Sequence, residues 1–144
     1  ALVGWSRGVM QSYLAAKHLT DVKAIVSVAG NADLKQAIAW RPEMEKVYAA
    51  RMPDYANQKE QLLNERSVIN WIDKLPPAPI LMLHGTADTR VNVEQSRLLA
   101  SALNVANHTN KLVTYEGDNH GLTQHRTAAF SEIKDWLQQY LVPR

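Results

Sequence analysis

The 144-residue chain has room for about one domain, since single domains commonly contain roughly 100–200 residues. With 46% hydrophobic and 21% charged residues and no cysteine, it can bury a core, and disulfides, thiolate metal sites and cysteine nucleophiles are excluded. A formal net charge of +2 and the lack of any apolar run of about 18 residues predict that neither nucleic acid nor a membrane is a partner.

Four short apolar runs predict strands of one sheet. In chain order, these runs are Ala1–Gly4, Ala24–Ala29, Ile80–Leu83 and Lys111–Tyr115. The second and third are continuously apolar, which is typical of parallel strands that are covered on both faces. Because the first run resembles the end of a buried strand, we expect the chain to be a fragment of a larger protein.

Helical periods alternate with these strands. The residues that share a helix face are Met10, Tyr13, Leu14 and Lys17 in the first period, Leu99, Ala102, Leu103 and Ala106 in the second, and Phe130, Ile133, Leu137, Tyr140 and Leu141 in the third. Asn92 followed by Gln95 predicts a helix N-cap with its reciprocal partner. The alternation predicts an α/β fold with a parallel sheet of about four strands flanked by helices.

The long stretch 31–75 separates the second and third predicted strands. A crossover usually needs far fewer residues, so we predict a helical insertion or lid-like segment here. Pro42 at a first helical position predicts one helix, and 58–66 predicts another. Specificity is expected to reside in this insertion, where Trp40 is either a packing residue or, with Tyr48, part of a substrate cleft.

Gly4-Trp5-Ser6-Arg7-Gly8 fits the nucleophile-elbow pattern Gly-x-Ser-x-Gly between a strand and a helix. Such a sharp turn strains the serine backbone, so small residues are needed on both sides of it. The turn would lift the Ser6 hydroxyl above the sheet. It would also place the Arg7 backbone N–H at a helix N-terminus, aimed at an oxyanion.

A serine nucleophile requires a base and an orienting acid, which follow the serine in the order acid then histidine in hydrolases with this elbow. Asp88 comes shortly after the third predicted strand and His120 shortly after the fourth. Because the carboxyl ends of parallel strands meet at one edge of a sheet, we expect Ser6, Asp88 and His120 to converge there.

Together, the segments Gly-Trp-Ser-Arg-Gly, His-Gly-Thr-Ala-Asp-Thr-Arg-Val and Asn-His-Gly resemble the α/β-hydrolase fold, specifically the prolyl oligopeptidase family of serine peptidases. The likeness covers essentially the whole chain. It implies that 1–144 is the C-terminal part of a catalytic domain. The chain departs from the family at Val9, where members usually have a second glycine, which predicts looser packing of the first helix against the sheet.

The resemblance implies a role for each of the converging residues. Ser6 would be the nucleophile, His120 the general base and then acid, and Asp88 the carboxylate that fixes the imidazole tautomer. Arg90 would match a position that holds a substrate carbonyl in some members, or it would be a surface cation paired with an acid. Trp5 would line a pocket or belong to the core.

Other candidates for these roles have simpler interpretations. Asp118 lies close to His120 in the sequence, but within a tight loop it should point to solvent or cap a turn. His84 should pack or hydrogen-bond at its strand end. No spacing of histidines suggests a metal site, and no cofactor is expected.

The leading hypothesis is a serine peptidase that cleaves short peptides through an acyl-enzyme. One alternative is a carboxylesterase or dienelactone-hydrolase-like enzyme with a small acyl substrate, and another is a non-catalytic interaction module that retains the fold. The isolated fragment should be inactive, because loss of an oxyanion donor from the missing half costs about 2.7–4 kcal/mol. It should also self-associate, because truncation would expose a strand edge.

Overall fold

The computed structural model describes residues 1–142, so the last two residues of the predicted 1–144 unit lie outside the described residues. It contains a four-stranded parallel sheet. The strands are β1 (Leu2–Trp5), β2 (Ile25–Val28), β3 (Ile80–Gly85) and β4 (Asn110–Tyr115), and they lie side by side in chain order. The predicted α/β class and parallel sheet are therefore confirmed.

Six α-helices accompany the strands in the part of the chain that is described. They are α1 (Arg7–Ala16), α2 (Leu34–Trp40), α3 (Met44–Arg51), α4 (Tyr55–Glu65), α5 (Glu94–Val105) and α6 (Arg126–Leu141). Two single-turn 3₁₀ helices, Val68–Asn70 and Ile72–Lys74, precede β3. No helix within residues 1–142 combines the length and the apolar character that crossing a bilayer requires.

The core lies on both faces of the sheet, because successive side chains of a strand alternate between them. Ile80 and Met82 of β3 pack with α1 and α5 on one face, whereas Leu81 and Leu83 pack with Trp136 of α6 on the other. All residues of β3 are buried, which explains why its first four residues, Ile80–Leu83, are all apolar. The predicted apolar face of the last helix is only partly buried, because Ile133, Leu137 and Tyr140 pack against the core whereas Phe130 and Leu141 are 65% and 41% exposed.

The exposed strand edge that the sequence predicts lies at the first strand, where only Gly4 is fully buried. The strand β1 forms one edge of this sheet, and its Val3 and Trp5 are 56% and 55% exposed. An unpaired edge offers backbone donors and acceptors to another strand. We therefore expect the isolated chain to self-associate, and sedimentation velocity over a concentration series should show a rising weight-average mass. A concentration-independent monomer would contradict this expectation.

The stretch between β2 and β3 is helical, with boundaries that differ from those predicted. The helix α3 begins at Met44, and Pro42 lies in the turn before it. The helix α4 begins at Tyr55 and is kinked at Gln58, whose φ of −124° is not helical. A separate small core of Leu34, Tyr48, Met52, Tyr55, Leu62 and Leu63 holds these helices together.

Gln95 does not fill its predicted capping role. The residue directly before α5 is Val93, and Asn92, one residue further back, accepts the N–H of Glu94 with its Oδ1 at 3.0 Å. The Gln95 side chain instead accepts the N–H groups of Ala32 and Asp33, both at 2.8 Å, and donates to the Asp33 carbonyl at 3.0 Å. It thereby fastens the start of the helical stretch to α5.

Candidate active site

Three loops meet at the carboxyl edge of the sheet. Ser6 lies between β1 and α1, Asp88 follows β3 and His120 follows β4. In a parallel sheet these positions share one edge, where functional groups of α/β proteins commonly assemble. The structure brings all three predicted side chains together there.

The backbone of Ser6 is strained. Its φ of 55° and ψ of −120° lie in a region that non-glycine residues rarely adopt. The turn is packed so closely that position 4 requires a glycine, because a Cβ there would lie 2.5 Å from the Gly8 carbonyl oxygen. At Gly8, no other atom of the described part of the chain lies within 4 Å of an added Cβ, so the predicted need for a small residue holds only before the serine.

The predicted loosening at Val9 is also wrong. Val9 is 1% exposed and packs in the core with α1 closely seated on the sheet. Space for its side chain comes from Gly30, where a Cβ would lie 2.3 Å from Val9 Cγ1. A glycine on the neighbouring loop therefore compensates for the missing glycine in the helix.

Ser6, His120 and Asp88 form a hydrogen-bonded chain. Ser6 Oγ lies 2.9 Å from His120 Nε2, and His120 Nδ1 lies 2.7 Å from Asp88 Oδ2. An ionised carboxylate can only accept, so Nδ1 carries the proton of the neutral imidazole and Nε2 presents a lone pair to the hydroxyl. In this state the histidine can accept the Ser6 proton.

Asp88 is a buried carboxylate with a full set of donors. Its Oδ1 accepts the backbone N–H groups of Arg90 at 2.8 Å and Val91 at 2.9 Å. Burial alone would raise the pKa of Asp88, but hydrogen bonds from His120, His84 and these two N–H groups together hold it well below its usual range. Asp88 therefore stays ionised near neutral pH.

His84 contributes to this site in a way that the sequence analysis missed. It is fully buried, with Nε2 3.0 Å from the Val91 carbonyl oxygen and 3.2 Å from Asp88 Oδ2. Both are acceptors, so Nε2 carries the proton, and Nδ1 must accept the hydroxyl proton of Ser96 at 2.7 Å. The two acceptors thus fix the tautomer with which His84 faces Asp88, and the bond to the Ser96 hydroxyl holds the ring in that orientation.

The loops that carry Asp88 and His120 are tied directly to each other. Ala87 donates its N–H to the Asp118 carbonyl at 2.9 Å, and Gly117 donates to Thr86 Oγ1 at 2.8 Å. The close approach requires Gly85, because a Cβ there would lie 2.4 Å from the Asp118 carbonyl oxygen. The acid and the imidazole are positioned by one shared loop structure.

Asp118 serves a different purpose from Asp88. Its side chain is fully buried and accepts the backbone N–H groups of Asn119, Gln124 and His125, together with His125 Nδ1. Burial opposes ionisation, but these hydrogen bonds, with His125 first among them, lower the pKa of Asp118. Of the two predicted alternatives, it caps the turn before α6 and does not point to solvent.

The other three predicted site residues, Trp5, Arg7 and Arg90, lie around the hydroxyl of Ser6 and the loop of Asp88. Trp5 is half exposed, so it is not a core residue. Its Nε1 donates to the His120 carbonyl at 3.1 Å, and its ring lies 5.4 Å from the imidazole centroid. Arg7 is the first residue of α1, so its N–H has no acceptor within the helix. Arg90 pairs with no carboxylate within residues 1–142, contrary to the alternative of an ion-paired surface cation.

A cleft of about 1010 Å³ opens beside Ser6. Its walls come from the elbow, from the loop around Arg90 and from the helical stretch that includes Trp40 and Tyr48. Trp40 is 44% exposed, so it lines the cleft rather than packing in the core. The strained serine therefore faces a space large enough for a small ligand.

The sequence model of the prolyl oligopeptidase family matches residues 1–143. Among solved structures, the chain resembles a puromycin-hydrolyzing peptidase of Mycobacterium tuberculosis, with a TM-score of 0.77 and 24% identity over 94% of this chain and 21% of that one. It also resembles an acylaminoacyl peptidase of Pyrococcus horikoshii, with a TM-score of 0.84 and 19% identity over 96% of this chain and 23% of the other.

A third similar structure is dipeptidyl peptidase 4 of Porphyromonas gingivalis, with a TM-score of 0.77 and 22% identity over 96% of this chain and 19% of that one. At these identities, the likeness to solved structures establishes the fold, which is part of an α/β-hydrolase fold. The chain spans less than a quarter of the length of each of these three proteins.

Proposed function

We propose, from the premise that this chain belongs to the prolyl oligopeptidase family, that it forms part of the catalytic domain of a serine peptidase that cleaves short peptides. The observation that carries the proposal is the hydrogen-bonded chain from Ser6 through His120 to Asp88. Membership of a peptidase family supports hydrolysis in general. The serine mechanism rests on the geometry of these three side chains.

In the proposed mechanism, Ser6 Oγ attacks the peptide carbonyl carbon while His120 Nε2 takes the hydroxyl proton. The carbonyl oxygen becomes an oxyanion that accepts the N–H of Arg7, and Asp88 stabilises the imidazolium. His120 then gives its proton to the leaving amine as the C–N bond breaks, leaving an acyl ester on Ser6. A water, deprotonated by His120, hydrolyses that ester and restores the serine.

The substrate would lie in the cleft beside Ser6. We propose that the helical stretch 31–75 acts as the wall that selects substrates, because Trp40 and Tyr48 line the cleft. Arg90 is proposed to donate to a substrate carbonyl, since it is exposed at the cleft. Its backbone is fixed by the N–H bond to Asp88 and by Arg41, which donates to its carbonyl at 3.3 Å.

Labelling with a fluorophosphonate probe tests this proposal. We expect the full-length protein to form a covalent adduct on Ser6, detected by peptide mass spectrometry, and the Ser6→Ala variant to form none. Ser12→Ala is the matched control and should still be labelled, because Ser12 Oγ donates to the Gly8 carbonyl within α1 and has no histidine partner within residues 1–142. Absence of label from folded protein would favour an interaction module.

Substrate assays separate the peptidase from the esterase. We expect full-length protein that has not been treated with the probe to hydrolyse aminoacyl anilides as well as short acyl esters, because His120 is placed to protonate a leaving amine. Turnover of esters alone would contradict the peptidase assignment while leaving the serine mechanism intact.

A further inference from the structure

The cleft beside Ser6 has a strongly one-sided charge. Five arginines line it, namely Arg7, Arg41, Arg51, Arg66 and Arg90, and no Asp or Glu within residues 1–142 does so. The whole chain has a formal net charge of +2, and removing these five positive charges leaves −3 for the rest. The chain therefore owes its net positive charge to the arginines of the cleft.

Acidic neighbours neutralise only part of this charge. Arg41 Nε lies 2.8 Å from Glu43, and Arg66 Nη1 lies 3.9 Å from Glu65. Within residues 1–142, Arg7, Arg51 and Arg90 have no carboxylate oxygen within 4.0 Å of their guanidinium groups. At least three cations at the cleft are thus available to an anion from outside the chain.

Part of the wall between these cations is apolar, and it contains a buried donor. Leu34 and Met52 are buried at the cleft, and apolar walls strengthen the field of nearby charges. Tyr48 is 7% exposed, and its hydroxyl has no hydrogen-bond partner within residues 1–142. Burial and the neighbouring Tyr55 raise the pKa of Tyr48 to about 12 against the effect of Arg41, so its hydroxyl remains a donor.

We infer that this cleft selects peptides that carry a carboxylate close to the bond that Ser6 attacks. A guanidinium group presents parallel N–H donors that match the two oxygens of a carboxylate, and the Tyr48 hydroxyl supplies a further donor. The inference rests on the proposed function, because it places the anion on the substrate of Ser6. An aspartate or glutamate side chain and the C-terminus of a short peptide both supply this group.

Binding to full-length Ser6→Ala protein tests the inference without requiring hydrolysis. Fluorescence anisotropy would compare a Glu-containing peptide with its Gln counterpart, both with amidated C-termini, and the Gln peptide with a free C-terminus. We expect one carboxylate-bearing peptide to bind at least about tenfold more tightly than the amidated Gln peptide, which corresponds to one charge-assisted contact. The peptide that gains affinity identifies the source of the carboxylate.

Substitutions locate the preference in the cleft. In the Ser6→Ala background, Arg51→Gln should remove most of the carboxylate preference, because Arg51 is exposed, unpaired within residues 1–142 and lines the cleft. Arg126→Gln is the matched control, since Arg126 is an exposed arginine on α6 that does not line the cleft. High salt should reduce the preference in the parent by a larger factor than in Arg51→Gln, where less of it remains.

The inference is overturned if the three peptides bind equally or not at all, or if Arg126→Gln removes the preference as fully as Arg51→Gln. The proposed function fails by a different result, which is the absence of covalent label on Ser6 in the parent protein. Carboxylate-selective binding without labelling would therefore retain the binding site and reject the peptidase.

Discussion

Changing Asp88 to asparagine is expected to lower kcat by about 10⁴-fold while the protein stays folded. The loss is large because Asp88 fixes the tautomer of His120. Its Oδ2 accepts the Nδ1 proton at 2.7 Å, which leaves Nε2 free to take the proton of Ser6. The measurement is kcat for an aminoacyl anilide or ester with the full-length protein. Circular dichroism and thermal unfolding check that the variant is folded.

The backbone decides which way the new amide would face. Two N–H groups, from Arg90 and Val91, donate to Asp88 Oδ1, so the amide oxygen of an asparagine would take that place. The NH₂ group would then face His120 Nδ1, which must become the acceptor. The ring proton would move to Nε2, where it opposes removal of the Ser6 proton.

Asp118→Asn is the matched control for this effect. Asp118 is also a buried aspartate, and it is closer to His120 along the sequence, but its oxygens accept from Asn119, Gln124 and His125. The change should lower the melting temperature and reduce kcat far less than Asp88→Asn does. Similar kcat losses in the two variants, or a fully active Asp88→Asn protein, would contradict the assignment of Asp88 as the orienting acid.

The order of strands and polar residues along the chain was enough to predict which side chains meet at the site. Apolar runs mark the strands, and the polar residues that follow them must lie at one sheet edge when the strands are parallel. Ser6, Asp88 and His120 could therefore be placed together before any coordinates. Their catalytic roles stay predictions until the labelling and the kcat measurements are made.

The residues that hold the site and its surroundings in place could not be found from local sequence patterns. His84 lies near the end of β3, where the sequence predicts only that a histidine packs or hydrogen-bonds, and its partner Ser96 lies inside α5 with no local signal. Gln95 fitted a capping pattern, but it binds the backbone of Asp33 from another segment. Such contacts depend on how separate elements pack, which local periodicity does not encode.

The packing of Val9 against Gly30, which seats α1 on the sheet, can be tested by substitution. We expect Gly30→Ala to lower the free energy of unfolding by about 3 kcal/mol through overpacking. The new Cβ would lie 2.3–2.6 Å from three side-chain atoms of Val9, which is buried and β-branched and so has little freedom to rotate within a helix. Chemical denaturation followed by circular dichroism measures the loss.

A second substitution shows whether the clash causes that loss. Val9→Ala would leave a Cβ 2.4 Å from the new methyl group, so only Val9→Gly relieves the contact completely. By itself Val9→Gly should cost about 3 kcal/mol, from lost burial and lower helix propensity. The double variant should lose less free energy of unfolding than the sum of the two single losses, by at least about 2 kcal/mol, because Val9→Gly makes room for the new methyl group at position 30.

Gly8→Ala completes the comparison on the same helix. A Cβ at Gly8 meets nothing within 4 Å, so this variant should stay within about 1 kcal/mol of the parent or exceed it, because alanine favours the helix. Additive losses in the Val9–Gly30 cycle, or an equally large loss for Gly8→Ala, would show that the glycines matter for another reason. A strong coupling would show that a glycine across the interface, rather than one in the helix, lets α1 seat against the sheet and holds Ser6 at the cleft.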